Sequence, residues 1–166
     1  MATAVSGQRE QPAIVVVVPD VDREGYVVAE LQRRYSSDYA ILVRSRAEEA
    51  LQDLAQQRAA DRQVAIVLAD EGLADLDGDA FFGQVARLYP DAKRGLLVDW
   101  GAWGDPDVAA KIPRLVGLGR IHYYVLKPWR PRDEYFHRTI TEVLLEWERA
   151  ASPVPREVTI VGDPQS

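Results

Sequence analysis

The chain of 166 residues contains no cysteine, which excludes disulfides, thiolate nucleophiles and cysteine-based metal sites. It also lacks any apolar run near the roughly 20 residues that a membrane-spanning helix needs. Residues 1–12 are small and polar and lack the apolar core of a signal peptide. From these absences we expect a cytoplasmic protein with no membrane partner.

Positive charge is not in excess, because 20 Lys and Arg stand against 26 Asp and Glu, giving a formal net charge of -6. Nucleic-acid binding needs clustered Lys and Arg, whereas the arginines here are scattered among acids. We therefore predict no nucleic-acid partner. His122 and His137 have no partner ligands at metal-binding spacing, so no chemistry is assigned to them.

Short apolar runs alternate with helical segments along the chain. The five runs cover residues 13–18, 39–43, 64–68, 95–98 and 122–126. Continuous, mostly β-branched runs are typical of strands buried on both faces of a parallel sheet. The alternation predicts an α/β protein with a flavodoxin-like, five-stranded parallel sheet in a doubly wound (βα)5 arrangement.

Local signals predict some helix boundaries. Ser45 and Glu48 match a capping box at the start of the second helix. Pro113 predicts that the helix before the fifth strand is short or broken, since proline removes a backbone hydrogen bond. Asp75 and Asp77 fall in an acidic, glycine-bearing loop, where we interpret them as solvated turn residues.

Three parts of the chain are predicted. Residues 1–12 form a flexible N-terminal tail and residues 13–150 one globular domain. Residues 151–166 begin with a proline-rich stretch and continue with an apolar run at residues 158–162. We interpret this last part as a linker and the start of a following domain, with a frayed tail as the alternative.

Ligands and chemistry collect at the carboxyl ends of the strands in such sheets. The polar residues that follow predicted strands at that edge are Asp20, Asp22, Asp70, Asp99 and Lys127. They define the candidate site. The structural alternative is that Asp70 and Lys127 form a buried ion pair and that Asp20 and Asp22 cap the first helix.

The carboxylate after the third strand and the Lys-Pro pair after the fifth resemble the receiver domain of two-component response regulators, over residues 13–150. The matching positions are the phosphoacceptor, the loop glycine, the switch-like aromatic and the active-site lysine with its proline: Asp70, Gly78, Tyr124, Lys127 and Pro128. The resemblance implies a receiver fold and a role in phosphorelay signalling.

Several positions of that family are changed. Val18 and Pro19 replace the metal-binding acidic pair, Val98 replaces the switch hydroxyl, Asp99 replaces a small residue, and Ala74 replaces a proline. A magnesium site would need Asp20, Asp70 and the carbonyl of Gly72, because magnesium prefers several oxygen ligands. Val98 cannot donate a hydrogen bond, and the charge of Asp99 opposes an incoming dianion.

A closer resemblance is to receivers fused ahead of thioredoxin-reductase-like FAD flavoproteins. It rests on residues 89–94, on Tyr124 to Trp129, on the long last helix and on the apolar run at 158–162. Trp100 and Trp129 flank the candidate site and suggest a partner surface, with loop coverage as the commoner alternative.

We expect a degenerate receiver that acts as a regulatory or protein-interaction module attached to an effector, with no enzymatic activity beyond self-phosphorylation at Asp70. Its expected partners are a histidine kinase, an effector domain, or a second copy through the last strand and helix. The first alternative is a working phosphoacceptor that uses Asp70, Lys127 and magnesium. The second is a flavodoxin-like domain binding a phosphate-bearing cofactor, which the acidic residues after the first strand disfavour.

Overall fold

The computed structural model describes residues 11–20, 22, 25–73, 75–128 and 132–151. Its strands are β1 (Ala13–Val17), β2 (Ala40–Arg44), β3 (Val64–Asp70), β4 (Lys93–Val98) and β5 (Tyr123–Leu126). Its α-helices are α1 (Gly25–Tyr35), α2 (Ala47–Ala59), α3 (Gly78–Leu88), α4 (Pro106–Gly117) and α5 (Glu134–Ala151). The predictions made for Ala74, Trp129 and residues 158–162 lie outside the described residues.

All strand pairs are parallel, and the sheet order is β2-β1-β3-β4-β5. This order confirms the predicted flavodoxin-like sheet. The carboxyl ends of β1, β3, β4 and β5 share one edge, so the residues that follow these strands are brought together. None of the helices in the described ranges is long and apolar enough to cross a bilayer.

The sheet separates two apolar cores. On one face α2, α3 and α4 cover alternate residues of the central strands, with Phe81 and Leu115 among the buried side chains. On the other face α1 and α5 cover the intervening residues, with Leu31 and Phe136 buried. Both faces of β1 and β3 are therefore buried from solvent, which explains their continuous apolar sequences.

Gly95 allows β4 to lie close to its neighbours in the sheet. A Cβ atom at this position would lie 2.9 Å from the Leu68 Cδ2 atom and 3.5 Å from Val125 Cγ2. Both neighbours are fully or almost fully buried. A glycine in this strand thus serves packing, because close approach leaves no room for a side chain.

The prediction of a short or broken fourth helix is wrong. Asp105 accepts a hydrogen bond from the backbone N–H of Asp107 at 2.9 Å, and the helix runs on through Pro113 to Gly117. Pro113 lies on the exposed side of α4, so water can satisfy the carbonyl that loses its donor. Val108, Ile112 and Leu115 hold the opposite side against the core.

Candidate functional site at the carboxyl edge of the sheet

Asp70 is the last residue of β3, directly opposite Leu97 of β4. The backbone N–H of Glu71 donates to the Leu97 carbonyl at 3.1 Å, which continues the ladder past Asp70. The backbone N–H of Gly72 donates to Asp70 Oδ1 at 2.7 Å. Asp70 is 7% exposed, so its carboxylate is held at the end of a rigid strand and needs a compensating charge.

Lys127 supplies that charge. Its backbone N–H donates to the Val98 carbonyl at 2.9 Å, which places it immediately after β5 and beside the end of β4. Its Nζ atom contacts Asp70 Oδ2 in an ion pair whose side chains are 9% and 7% exposed. The structure therefore brings together the two residues that the sequence placed at the centre of the site.

Asp99 joins the same cluster. Its Oδ1 atom lies 3.0 Å from Lys127 Nζ, although the Asp99 side chain is 65% exposed. One ammonium group is thus shared by a buried and an exposed carboxylate. The sequence predicted Asp99 only as a negative charge near the site, whereas the structure places it in direct contact with Lys127.

The two switch-like positions have contrasting surroundings. Val98, in the place of a hydroxyl residue, is fully buried and has no polar side-chain atom. Tyr124, on β5, is 42% exposed. Their predicted roles as switch positions stay predictions.

Asp20 does not share the burial of Asp70. It is exposed, and its Oδ1 atom accepts a hydrogen bond from the backbone N–H of Asp22 at 3.1 Å. Among the described residues, no group of three or more His, Asp or Glu side chains is arranged to hold a metal ion. Lys127 lies against Asp70 Oδ2 and the Gly72 N–H against Oδ1, and a magnesium site made of Asp20, Asp70 and the Gly72 carbonyl stays a prediction.

The loop after Asp70 is fastened to α2 by Asp75. Its Oδ1 and Oδ2 atoms accept from the backbone N–H groups of Ala47 and Glu48 at 3.1 and 3.0 Å. Burial opposes ionisation, but these two amides and the nearby Arg46 lower the pKa of Asp75. Asp75 is therefore a helix cap supplied from another loop, and its interpretation as a solvated turn residue is wrong.

This contact also replaces the predicted Ser45 capping box. The residue at the N-cap position of α2 is Arg46, and no N-cap side chain bonds the first-turn amides. Asp77, in contrast, caps its own helix by accepting from the backbone N–H of Asp79 at 3.2 Å. Both loop acids thus satisfy helix N-termini, and one of the two joins separate elements.

The residue after Asp70 is fastened to α4. Lys111 Nζ donates to the Glu71 carbonyl at 3.2 Å and lies 3.6 Å from Glu71 Oε1. Together with Asp75, this contact ties the loop that follows β3 to helices on both sides of it.

Sequence reasoning missed a buried polar cluster between α1 and α5. Glu30 and His137 are 3% and 0% exposed, and His137 Nε2 lies 2.5 Å from Glu30 Oε1. Arg33 Nη2 donates to the same Glu30 oxygen at 2.6 Å. Burial opposes ionisation of Glu30, yet hydrogen bonds from Arg33, His137 and the backbone of Arg132 lower its pKa to about 2. The spacing of Glu30 and Arg33 is local, but no local signal points to His137, which is 107 residues from Glu30.

Comparisons with known proteins support the fold. No protein-family model and no curated protein matches the chain. The chain is similar to a signal receiver domain of an HD domain-containing protein from Pseudomonas fluorescens Pf-5. The two are 25% identical with a TM-score of 0.64, covering 89% of this chain and 96% of the other.

Two further solved structures show the same likeness. A CheY-like response regulator receiver domain from Methanospirillum hungatei JF-1 is 19% identical with a TM-score of 0.59, over 86% of this chain and all of the other. NtrX from Brucella abortus is 20% identical with a TM-score of 0.61, over 90% of this chain but only 29% of NtrX. The chain therefore has the CheY-like receiver fold, which in NtrX corresponds to part of a longer chain.

Proposed function

We propose that this chain is an atypical receiver-fold regulatory module that works by docking to a protein partner and does not depend on phosphorylation of Asp70. The receiver fold supports a signalling module of the response-regulator type. The observation that carries the proposal is the contact of Asp99 Oδ1 with Lys127 Nζ at 3.0 Å, because it places a second carboxylate on the cation that phosphoryl transfer would use.

Phosphoryl transfer to a carboxylate makes three demands on the site. A divalent cation bridges nucleophile and phosphoryl group, a fixed positive charge stabilises the equatorial oxygens, and a donor holds the remaining oxygen. Val98 offers no donor, and Lys127 contacts two carboxylates. Two of the three requirements are thus weakened, which favours a module that acts through protein contacts.

The partner we propose is an effector, either fused to this domain or on another chain. The likeness to 29% of NtrX shows this fold as one part of a longer protein. The motif resemblance of residues 89–94 and 124–129 suggests a thioredoxin-reductase-like flavoprotein as the effector. β5 is an edge strand whose Tyr124 side chain is exposed, as is Leu145 on α5, and this face is our candidate for contacts with an effector or a second copy.

The proposal is tested by intact-mass analysis after incubation with magnesium and acetyl phosphate. The wild type and Asp70→Asn are compared, with a phosphorylatable receiver as the positive control. We expect no phosphoryl adduct on either variant under conditions that modify the control. An adduct on the wild type that is absent from Asp70→Asn would overturn phosphorylation-independent docking.

That second outcome would establish the alternative function, a working phosphoacceptor in a phosphorelay with a histidine kinase. The placement of Asp70 and Lys127 at one edge of the sheet favours this alternative. In that alternative Asp70, Asp20 and the Gly72 carbonyl would hold magnesium, and Lys127 would stabilise the charge on the phosphoryl oxygens. Magnesium-dependent adduct formation that is weakened in Asp20→Asn would support that arrangement.

A further inference from the structure

The ammonium group of Lys127 contacts a buried carboxylate, Asp70, and an exposed carboxylate, Asp99. The Asp70 side chain is 7% exposed, and the Lys127 side chain is 9% exposed. Asp99, 3.0 Å away, is 65% exposed. Of these two carboxylates, Asp99 is therefore the one that lies towards the solvent.

The position of Asp99 is fixed by backbone contacts. The Lys127 N–H donates to the Val98 carbonyl. Asp99 and Lys127, which directly follow β4 and β5, therefore lie next to each other. The Ala102 N–H donates to the Asp99 carbonyl at 3.0 Å and closes a turn. Gly101 in this turn has φ 86°, a left-handed conformation that glycine adopts without strain.

We propose that Asp99 is a built-in anion that occupies the solvent-facing position of Lys127, where a small oxyanion such as phosphate would otherwise bind. This inference rests on the proposed function, and it names the residue that keeps the site closed. Asp70, Lys127 and Asp99 together carry a net charge of about -1, since two carboxylates face one ammonium. Phosphate would have to displace Asp99 and approach a negative cluster.

Removal of Asp99 leaves a neutral Asp70–Lys127 pair and vacates the position that the Asp99 carboxylate holds beside the ammonium. Charge-assisted hydrogen bonds from lysine to phosphate oxygens can then form at that position. Asp99→Ala should convert the closed cluster into an anion-binding site. Asp99→Asn, which keeps the shape of the side chain and removes the charge, should open it in part.

The test measures the affinity for inorganic phosphate by titration calorimetry at fixed ionic strength. Asp107→Ala is the matched control, because it removes an equal charge from an exposed position at the start of α4. We expect phosphate to bind Asp99→Ala about tenfold more tightly than the wild type, as removal of one adjacent like charge implies. Asp107→Ala should equal the wild type, and Asp99→Ala combined with Lys127→Ala should lose the gain.

Equal phosphate affinities for Asp99→Ala and Asp107→Ala would overturn the assignment of Asp99. So would a gain that survives in the double variant, since the anion would then not be bound by Lys127. A phosphoryl adduct on the wild type would instead overturn the proposed function. Phosphate titration of the Asp99 variants thus tests the role of Asp99, and intact-mass analysis of the wild type tests the proposed function.

Discussion

His137 Nε2 lies 2.5 Å from Glu30 Oε1, and this buried pair joins α5 to α1 on the face of the sheet opposite α3. An imidazole nitrogen that faces a carboxylate at this distance carries a hydrogen. The Tyr35 hydroxyl donates to the His137 carbonyl at 3.1 Å, which adds a second link between the same helices. The two helices are therefore joined by polar contacts inside an otherwise apolar layer.

The Glu30 pair predicts a loss of stability in acid. Although burial opposes ionisation, hydrogen bonds from Arg33, His137 and the Arg132 backbone lower the pKa of Glu30 from 4.5 to about 2. A folded-state pKa below the unfolded value gives stability that is complete above about pH 4.5 and is lost as the pH falls towards 2. The contribution is at most about 3 kcal/mol, and denaturant unfolding of the wild type across this range measures it.

Glu30→Gln should remove this part of the pH dependence and lower stability at neutral pH. Glu49→Gln is the control, because Glu49 is exposed on α2 and its loss should leave the acid limb unchanged. If Glu30→Gln and the wild type lose stability in parallel between pH 4.5 and 2, Glu30 is not the group responsible.

The cap that Asp75 provides for α2 gives a second prediction. Asp75→Ala leaves the N–H groups of Ala47 and Glu48 without their carboxylate partner and should destabilise the protein by about 1–2 kcal/mol. Ser45→Ala should change stability by less than about 0.5 kcal/mol, because Arg46 holds the N-cap position and the Ala47 and Glu48 amides donate to Asp75. Chemical denaturation of both variants decides between the cross-loop cap and the predicted capping box. A larger effect at Ser45 than at Asp75 would contradict the structure.

Much of the fold follows from local sequence, and the candidate site follows from the fold. Apolar β-branched runs such as residues 13–18 predict buried strands, and parallel strands bring their carboxyl ends to one edge. The sequence thus predicts that Asp70 and Lys127 lie together, and their ion pair agrees with the structural alternative for these two residues. Their contact needs only the correct order of strands.

Contacts between helices are set by orientation, which no short pattern encodes. Asp75 caps a helix that begins 28 residues earlier, so its spacing to Ala47 carries no signal. The sequence shows Arg94 only as part of the resemblance over residues 89–94. In the structure its guanidinium donates to the carbonyls of Arg120 at 2.8 Å and Gly119 at 3.1 Å, just past the end of α4. These partners are 25 and 26 residues from Arg94, so only the tertiary fold explains the arginine.

The ion pair at the site gives a third prediction. Lys127→Met leaves the Asp70 carboxylate buried without its compensating charge and should cost about 3 kcal/mol of unfolding free energy. Asp70→Asn in the same chain should recover part of the loss, because a neutral amide is cheaper to bury than an unpaired carboxylate. A double-mutant cycle by urea denaturation at neutral pH measures the coupling between the two residues.

Lys93→Met serves as the control for that cycle. Lys93 Nζ lies 3.8 Å from Glu146 Oε1, and the Glu146 side chain is 48% exposed, so this pair should contribute less than about 1 kcal/mol. If Lys127→Met and Lys93→Met lower the unfolding free energy by similar amounts, the buried ion pair contributes no more to stability than the exposed one.

The close approach at Gly95 gives a fourth prediction. A Cβ atom there would lie 2.9 Å from Leu68 Cδ2, inside the core between β3 and β4, so Gly95→Ala should destabilise the protein by about 1–3 kcal/mol. Combining it with Leu68→Val should restore part of the loss, because the shorter side chain withdraws the contacting methyl group. Gly104→Ala should stay within about 0.5 kcal/mol of the wild type, since a Cβ there meets no atom within 4 Å. Thermal and urea unfolding of the four chains provide the comparison, and equal costs at Gly95 and Gly104 would show that β4 can shift to accept a methyl group.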